Sequence, residues 1–278
     1  MKTAVRLISA STIALGLAFA PALAKADTGP AADVLNPAEE KDMGARRVFE
    51  QAIADVQLRP EQQDEVDQLK AEAEKRHAPV KAAKSELMTA LADQVERGDV
   101  DICAMEPQVE KVAQAKAKAA PEDRKAFEKL HQIMEPEQRT KFVDALKKRY
   151  QEYRRSKEPT ALADKMAREL QLNDDQKSRV TRILKDMRDI EDAMGAHQHH
   201  RDRWSRILEA FKGEHFVMDE VAPAEDVAEH ATKRIERHLA KAKVIMPVLD
   251  KEQQHRLADK IREKARRYSQ TGTGGTAH

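Results

Sequence analysis

Apolar residues along this chain recur at three- and four-residue steps, the spacing of one face of a helix. Val48, Phe49, Ala52 and Val56 share a face of a short helix opened by Asn36-Pro37. Val66, Leu69, Ala73, Val80, Leu87 and Leu91 line a longer one from about Pro60 to Val95, which Pro79 should kink and Gly98-Asp99 should end. Val109, Val112, Phe127 and Leu130 place a third between Pro107 and Met134, interrupted at Pro121, and Phe142, Leu146 and Tyr150 mark a fourth from Pro136. The order then repeats. Thr160 caps a short helix with Leu162, Met166 and Leu170 inward. A long helix from Asp174 to Phe211 carries Val180, Ile183, Met187, Ile190, Met194, His197, Arg201, Trp204, Leu208 and Phe211 as a heptad-like stripe, and Gly213 stops it. Pro223 to Met246 follows with Val227, Ile235, Leu239 and Val244, and a last helix runs from Asp250 through Leu257 and Ile261 to Tyr268. The expected fold is all-α.

Four of the helix starts share a pattern in which an apolar residue is followed, four positions on, by glutamine: Leu58 and Gln62, Met134 and Gln138, Leu172 and Gln176, Leu249 and Gln253. The paired glutamines are 76 residues apart in the first half and 77 in the second. Gln62 to Gln176 and Gln138 to Gln253 give offsets of 114 and 115. Spacings this similar predict a tandem duplication, with a first unit over 27–155, a second over 160–268 and a flexible tail over 269–278. Physically the pattern is a helix start: glutamine at the third helical position reaches back to the N-cap backbone N–H. Asn173 and Asp250 are good caps; Arg59 and Glu135 are poor ones, and their starts lean on Pro60 and Pro136.

Residues 1–26 read as a secretory signal peptide, with basic Lys2 and Arg6, an apolar run from Leu7 to Leu23 and small-x-small sites at Ala22-Leu23-Ala24 and Ala24-Lys25-Ala26. The mature chain is therefore expected outside the cytoplasm, without a membrane anchor. Its single cysteine, Cys103, excludes an internal disulfide framework and is expected to be buried as a small hydrophobe. Charged residues make up 36% of the chain and aromatics 4%, which suits long amphipathic helices better than a sheet. A formal net charge of +1 gives no reason to expect nucleic acid as a partner.

The repeated apolar-x-x-x-Gln starts, twice per unit behind a leader, resemble the L-[ST]-x-x-Q signature of the Spy/CpxP family of periplasmic proteins, with Arg59, Glu135, Asn173 and Asp250 in place of the serine or threonine. The resemblance implies long helical hairpins that pair antiparallel into a curved cradle. It also implies a periplasmic chaperone that holds unfolded or partly folded envelope proteins on its concave face without ATP. With two units in one chain, the expectation is an intramolecular pseudo-dimer, with a homodimer as the other arrangement.

No phosphate-binding glycine loop, nucleophile elbow, Cys-x-x-Cys or His-Glu-x-x-His is present, so no enzyme activity and no cofactor are expected. His197, His199 and His200 are the local residues with metal potential, pairing at helical spacing as His197 with His200 and as His199 with Asp202. His197 also falls on the core stripe beside Arg201, where a polar pair between helices is the commoner arrangement, so no metal is expected. A periplasmic metal-binding or stress-sensing accessory protein is the alternative these histidines raise, and a structural helical spacer is a third. Trp204, Phe211, Phe216 and Met218 form the richest apolar cluster; they are candidate client contacts, with hairpin core as the competing reading. Arg201, Arg203 and Arg206 read as a solvated face.

Overall fold

The computed structural model describes residues 45–193 and 196–270. Among them the secondary structure is helical: α1 (Ala45–Ala54), α2 (Pro60–Arg97), α3 (Glu106–Ile133), α4 (Pro136–Ser156), α5 (Pro159–Leu170), α6 (Asp174–Ala193), α7 (Ala196–Lys212), α8 (Met218–Val221), α9 (Val227–Ile245) and α10 (Lys251–Gln270). Short 3₁₀ turns at Cys103–Met105 and Met246–Val248 lead into α3 and the last motif. The expected leader at 1–26, the expected Asn36-Pro37 start, positions 194–195 of the expected long helix and the expected tail from 271 on lie outside the described residues. Residues 269 and 270, expected in the tail, belong to α10.

Several starts and stops follow from local chemistry. Pro60 and Pro136 occupy first-turn positions where a missing N–H costs nothing. Glu158 and Pro159 open α5, two residues earlier than the expected Thr160 cap. Asp226, whose Oδ1 accepts from Glu229 N at 2.9 Å, caps α9, so Pro223 lies outside the helix it was expected to open. α3 runs unbroken through Pro121 because Ala119, Ala120 and Ala126 are buried on either side, and packing outweighs one lost backbone bond.

Gly98 ends α2 with φ +84°, a left-handed conformation that lets the N–H of Asp99 return to Gln94 O. A Cβ added there would lie 2.7 Å from Gln254 Oε1 and 2.9 Å from Lys251 Nζ. Gln254 is buried and tied by its amide to the carbonyls of Met246 and Leu249, so it yields poorly. Gly98→Ala is expected to cost roughly 1–3 kcal/mol, as left-handed strain plus displacement of Gln254, read as a lower urea midpoint at unchanged m-value.

The core is divided in two, and each part draws on both halves of the chain. One joins the end of α2 and the start of α3 to α5, α6, the end of α9 and α10, through Leu87, Leu91, Met105, Leu170, Leu239 and Ile261. The other joins α1, the start of α2, the end of α3 and α4 to α7 and α8, through Phe49, Leu69, Phe127, Phe142, Phe211 and Phe216. Helix α10 lies along α2, and α9 along α3. Thus the turn end of the first half's hairpin packs on the motif end of the second half, and the converse holds at the other core.

Burial departs from the expected stripes in places. On α6 the buried positions are Val180, Leu184 and Glu191, while Ile190 is 60% exposed. The stride from 180 to 191 is eleven residues, three turns of a straight helix, which leaves a seven-residue reading one position behind. Val244 is likewise 49% exposed, with Ile245 in the core instead, and Tyr153 rather than Tyr150 takes the buried place on α4. Cys103 is exposed, contrary to expectation: in the turn between α2 and α3, Val100 and Met105 take the buried positions, and the Cys103 N–H is held by Asp101 Oδ1.

Candidate functional site

The four motif glutamines meet in two pairs. Gln62 and Gln138 face each other as reciprocal amides: Gln62 Nε2 donates to Gln138 Oε1 at 2.9 Å, and Gln138 Nε2 donates back to Gln62 Oε1 at 3.0 Å. Each Oε1 also accepts from its own N-cap, Arg59 N and Glu135 N, both at 2.9 Å. Each Nε2 finally donates to the carbonyl just before the partner's motif, Ile133 O at 2.6 Å and Gln57 O at 2.8 Å. Gln176 and Gln253 repeat the arrangement: reciprocal amide bonds of 2.8 and 2.9 Å, N-cap bonds from Asn173 N and Asp250 N, and donation to Val248 O and Gln171 O. Every donor and acceptor of the four amides is thereby used.

This pairing explains why the residue is glutamine. A carboxylate at the same reach has no hydrogen to give, and two facing carboxylates would repel. The third-helical-position placement aims Oε1 at the helix's own start and leaves Nε2 free to cross to the neighbouring helix. At the second pair Asn173 and Asp250 complete full capping boxes, each accepting from its glutamine's N–H at 2.8 Å. At the first, Arg59 and Glu135 form an ion pair with each other across the pair. The motif's apolar members divide: Met134 and Leu249 are buried, while Leu58 and Leu172 are half-buried against the same cores. Reading the motif as a cap alone missed the partner; that each half contains two motifs was the available signal.

Trp204, Phe211, Phe216 and Met218 are all buried, so none offers surface to a client in this conformation. Phe127 of α3 lies at their centre, 4.8 Å from Phe211, 5.5 Å from Phe216 and 6.4 Å from Trp204 between ring centroids. The side chains of His197, His199, His200 and Arg201 lie outside the described residues; Asp202 is exposed. Arg203, read as solvated, instead pairs with Glu225 at 2.7 Å and donates to Pro223 O.

Between the two apolar cores lies a belt of buried charge that the periodicity did not announce, although His77 falls on the apolar stripe of α2 and Lys81 beside it. His77 Nε2 meets both Asp123 oxygens at 2.9 and 3.0 Å, Arg76 Nε donates to the same carboxylate at 2.8 Å, Lys81 pairs with Glu74, and Lys241 pairs with Glu191 at 2.8 Å. Burial pushes the Asp123 carboxyl up, against the pull of His77 and Arg76. On α9, beside Ile235 and Leu239 of the first core, burial holds His238 well below the ordinary histidine range, and Arg234, Lys241, Arg237 and Lys116 add like-charge repulsion.

His131, under the aromatic cluster, is lowered by burial and by Arg139 and His215, against a bond from its Nε2 to Gly213 O. Histidines whose folded pKa is depressed bind fewer protons folded than unfolded, so their contribution to stability is complete above about pH 6.5, the unfolded value, and is lost as pH falls from there through the folded pKa. The urea midpoint is therefore expected to drop between pH 7.5 and 5.5, and His238→Leu to make that drop shallower; an unchanged slope in the variant would contradict the assignment. Asp123 and His255, whose folded pKa values are raised by burial and by the Glu96 carboxylate respectively, work in the opposite sense and are common to both proteins.

Among the described residues, the side chains grouped closely enough to hold a cation are Glu96, His255 and Asp259. Neither a family model, nor a curated protein, nor a solved structure matches the chain.

Proposed function

We propose that this chain is an ATP-independent periplasmic chaperone of the Spy/CpxP type, a binding protein rather than an enzyme. Two tandem helical units pair within one molecule and hold unfolded or partly folded envelope proteins on a helical surface. The observation that carries this reading is the reciprocal glutamine pair formed twice with the same six bonds, which gives the family-like signature a structural role in both halves. The crosswise packing of each half's hairpin on the other's motif end supports the pseudo-dimer. With the aromatic cluster buried, clients would meet charged helix faces and the exposed apolar residues Ile190 and Val244 on the adjacent helices α6 and α9.

The test is light scattering of a denatured model substrate diluted into buffer without ATP. Stoichiometric protein should suppress aggregation, and failure with several unrelated substrates removes the reading. Ile190→Ser combined with Val244→Ser should weaken protection while leaving stability within roughly 0.5 kcal/mol, since both side chains are surface groups. A scattering mass near that of one chain is expected; a stable dimer at low concentration would count against the intramolecular arrangement.

A further inference from the structure

Glu96 stands in the last turn of α2, and His255 and Asp259 stand one turn apart on α10, the helix that lies along it. One ligand atom from each comes within 4.8 Å of the others. His255 Nδ1 is 2.6 Å from Glu96 Oε1, and His255 Nε2 is 3.5 Å from Asp259 Oδ2. Arg262, one turn further along α10, reaches the other oxygen of each carboxylate, Glu96 Oε2 at 2.9 Å and Asp259 Oδ1 at 3.4 Å, and also Asp93 at 3.1 Å. The guanidinium thus holds both carboxylates from behind, with Oε1 and Oδ2 turned toward the imidazole.

The backbone beneath this group is fixed. Gly98 sits against Gln254, the residue before His255, and Gln254 is anchored by two carbonyls. Leu257, Ala258 and Ile261 bury the opposite face of α10. Three donors on two braced helices, with an outer cation orienting the carboxylates, is how a metal site is prepared.

We propose that Glu96, His255 and Asp259 form a binding site for a divalent first-row cation of the Zn²⁺ type. One imidazole nitrogen and two carboxylate oxygens suit such an ion, with water completing the shell; Ca²⁺ and Mg²⁺ prefer oxygen alone. Binding replaces the His255–Glu96 contact and joins the first half's long hairpin helix to the second half's last helix, so the ion acts as a clasp between the halves and raises stability by mass action. The site is separate from His197, His199 and His200, and from the chaperone reading, since neither is needed for it.

The experiment is calorimetric titration of the untagged full chain with Zn²⁺ at neutral pH, with thermal melting alongside. One equivalent should bind, affinity should fall at least tenfold in His255→Ala and in Glu96→Gln, and binding should persist when His197, His199 and His200 are all replaced by Gln. The melting temperature should rise with Zn²⁺ in the parent and not in His255→Ala. His255 and Asp259 are exposed, so these variants keep the fold; should His255→Ala lose helical circular dichroism, Asp259→Asn gives the same reading. No heat at ~100 µM Zn²⁺, or an affinity unchanged in His255→Ala and lost in the triple histidine variant, overturns the proposal. Aggregation suppression in metal-free buffer reads out the chaperone function independently.

Discussion

Replacing Gln62 with glutamate should lower folding stability by about 3–5 kcal/mol at neutral pH, the cost of an unpaired buried charge. The change is nearly isosteric, yet it removes both hydrogens that Gln62 gives to Ile133 O and Gln138 Oε1 and turns a second carboxylate oxygen toward those acceptors. Gln62 is 3% exposed, so water cannot compensate. Urea unfolding at pH 7.5 checks it; a loss below about 1 kcal/mol would mean that the amide pair contributes little beyond packing. Gln176→Glu should cost less, because Gln176 is half-buried and its start is also capped by Asn173. Combining Gln62→Ala with Gln138→Ala should be less destabilising than the sum of the single changes, since either one alone orphans its partner's amide.

The second large effect is expected at Phe211, which is wholly buried. Its ring lies 4.8 Å from Phe127, 5.4 Å from Phe142, 5.2 Å from Phe216 and 5.2 Å from His131. Three of these neighbours come from the first half of the chain, so Phe211→Ala opens a cavity at the joint between the halves. A loss of about 3–5 kcal/mol follows from aromatic truncation in a packed core, seen as a melting temperature lowered by roughly 10 °C. Hydrogen exchange should accelerate more in α1, α4 and α7, which share that core, than in α5 and α10. Equal acceleration everywhere would show that the two cores unfold as a single unit.

Helix identity was legible because the apolar period is strong: α2, α3, α4 and α10 lie within a few residues of where spacing placed them. What spacing could not supply was the neighbour. The glutamines were recognisable as helix-start residues, but that each amide spends its second half on a glutamine 76 or 77 positions away depends on the hairpin closing. The aromatic cluster was likewise visible in sequence, whereas its burial depends on Phe49, Phe127 and Phe142 arriving from the other half. Glu191 and Lys241 show the limit most plainly. Each looks like an ordinary solvated charge until the other is brought to 2.8 Å, and the exposed Ile190 beside Glu191 was read as core for the same reason. The Glu96, His255 and Asp259 cluster joins residues about 160 positions apart, and only its His255–Asp259 pair, one helical turn apart, was visible locally.

Because each apolar core is assembled from both ends of the chain, neither half contains a complete one. A polypeptide emerging N-terminus first has α2 and α3 early, but the helices that cover them, α9 and α10, come last. Closure therefore waits for nearly the whole sequence, a topology that favours slow, late folding over stepwise folding. Severing the short connection at Lys157-Glu158 should yield two fragments that are soft when separate and regain their order only on mixing.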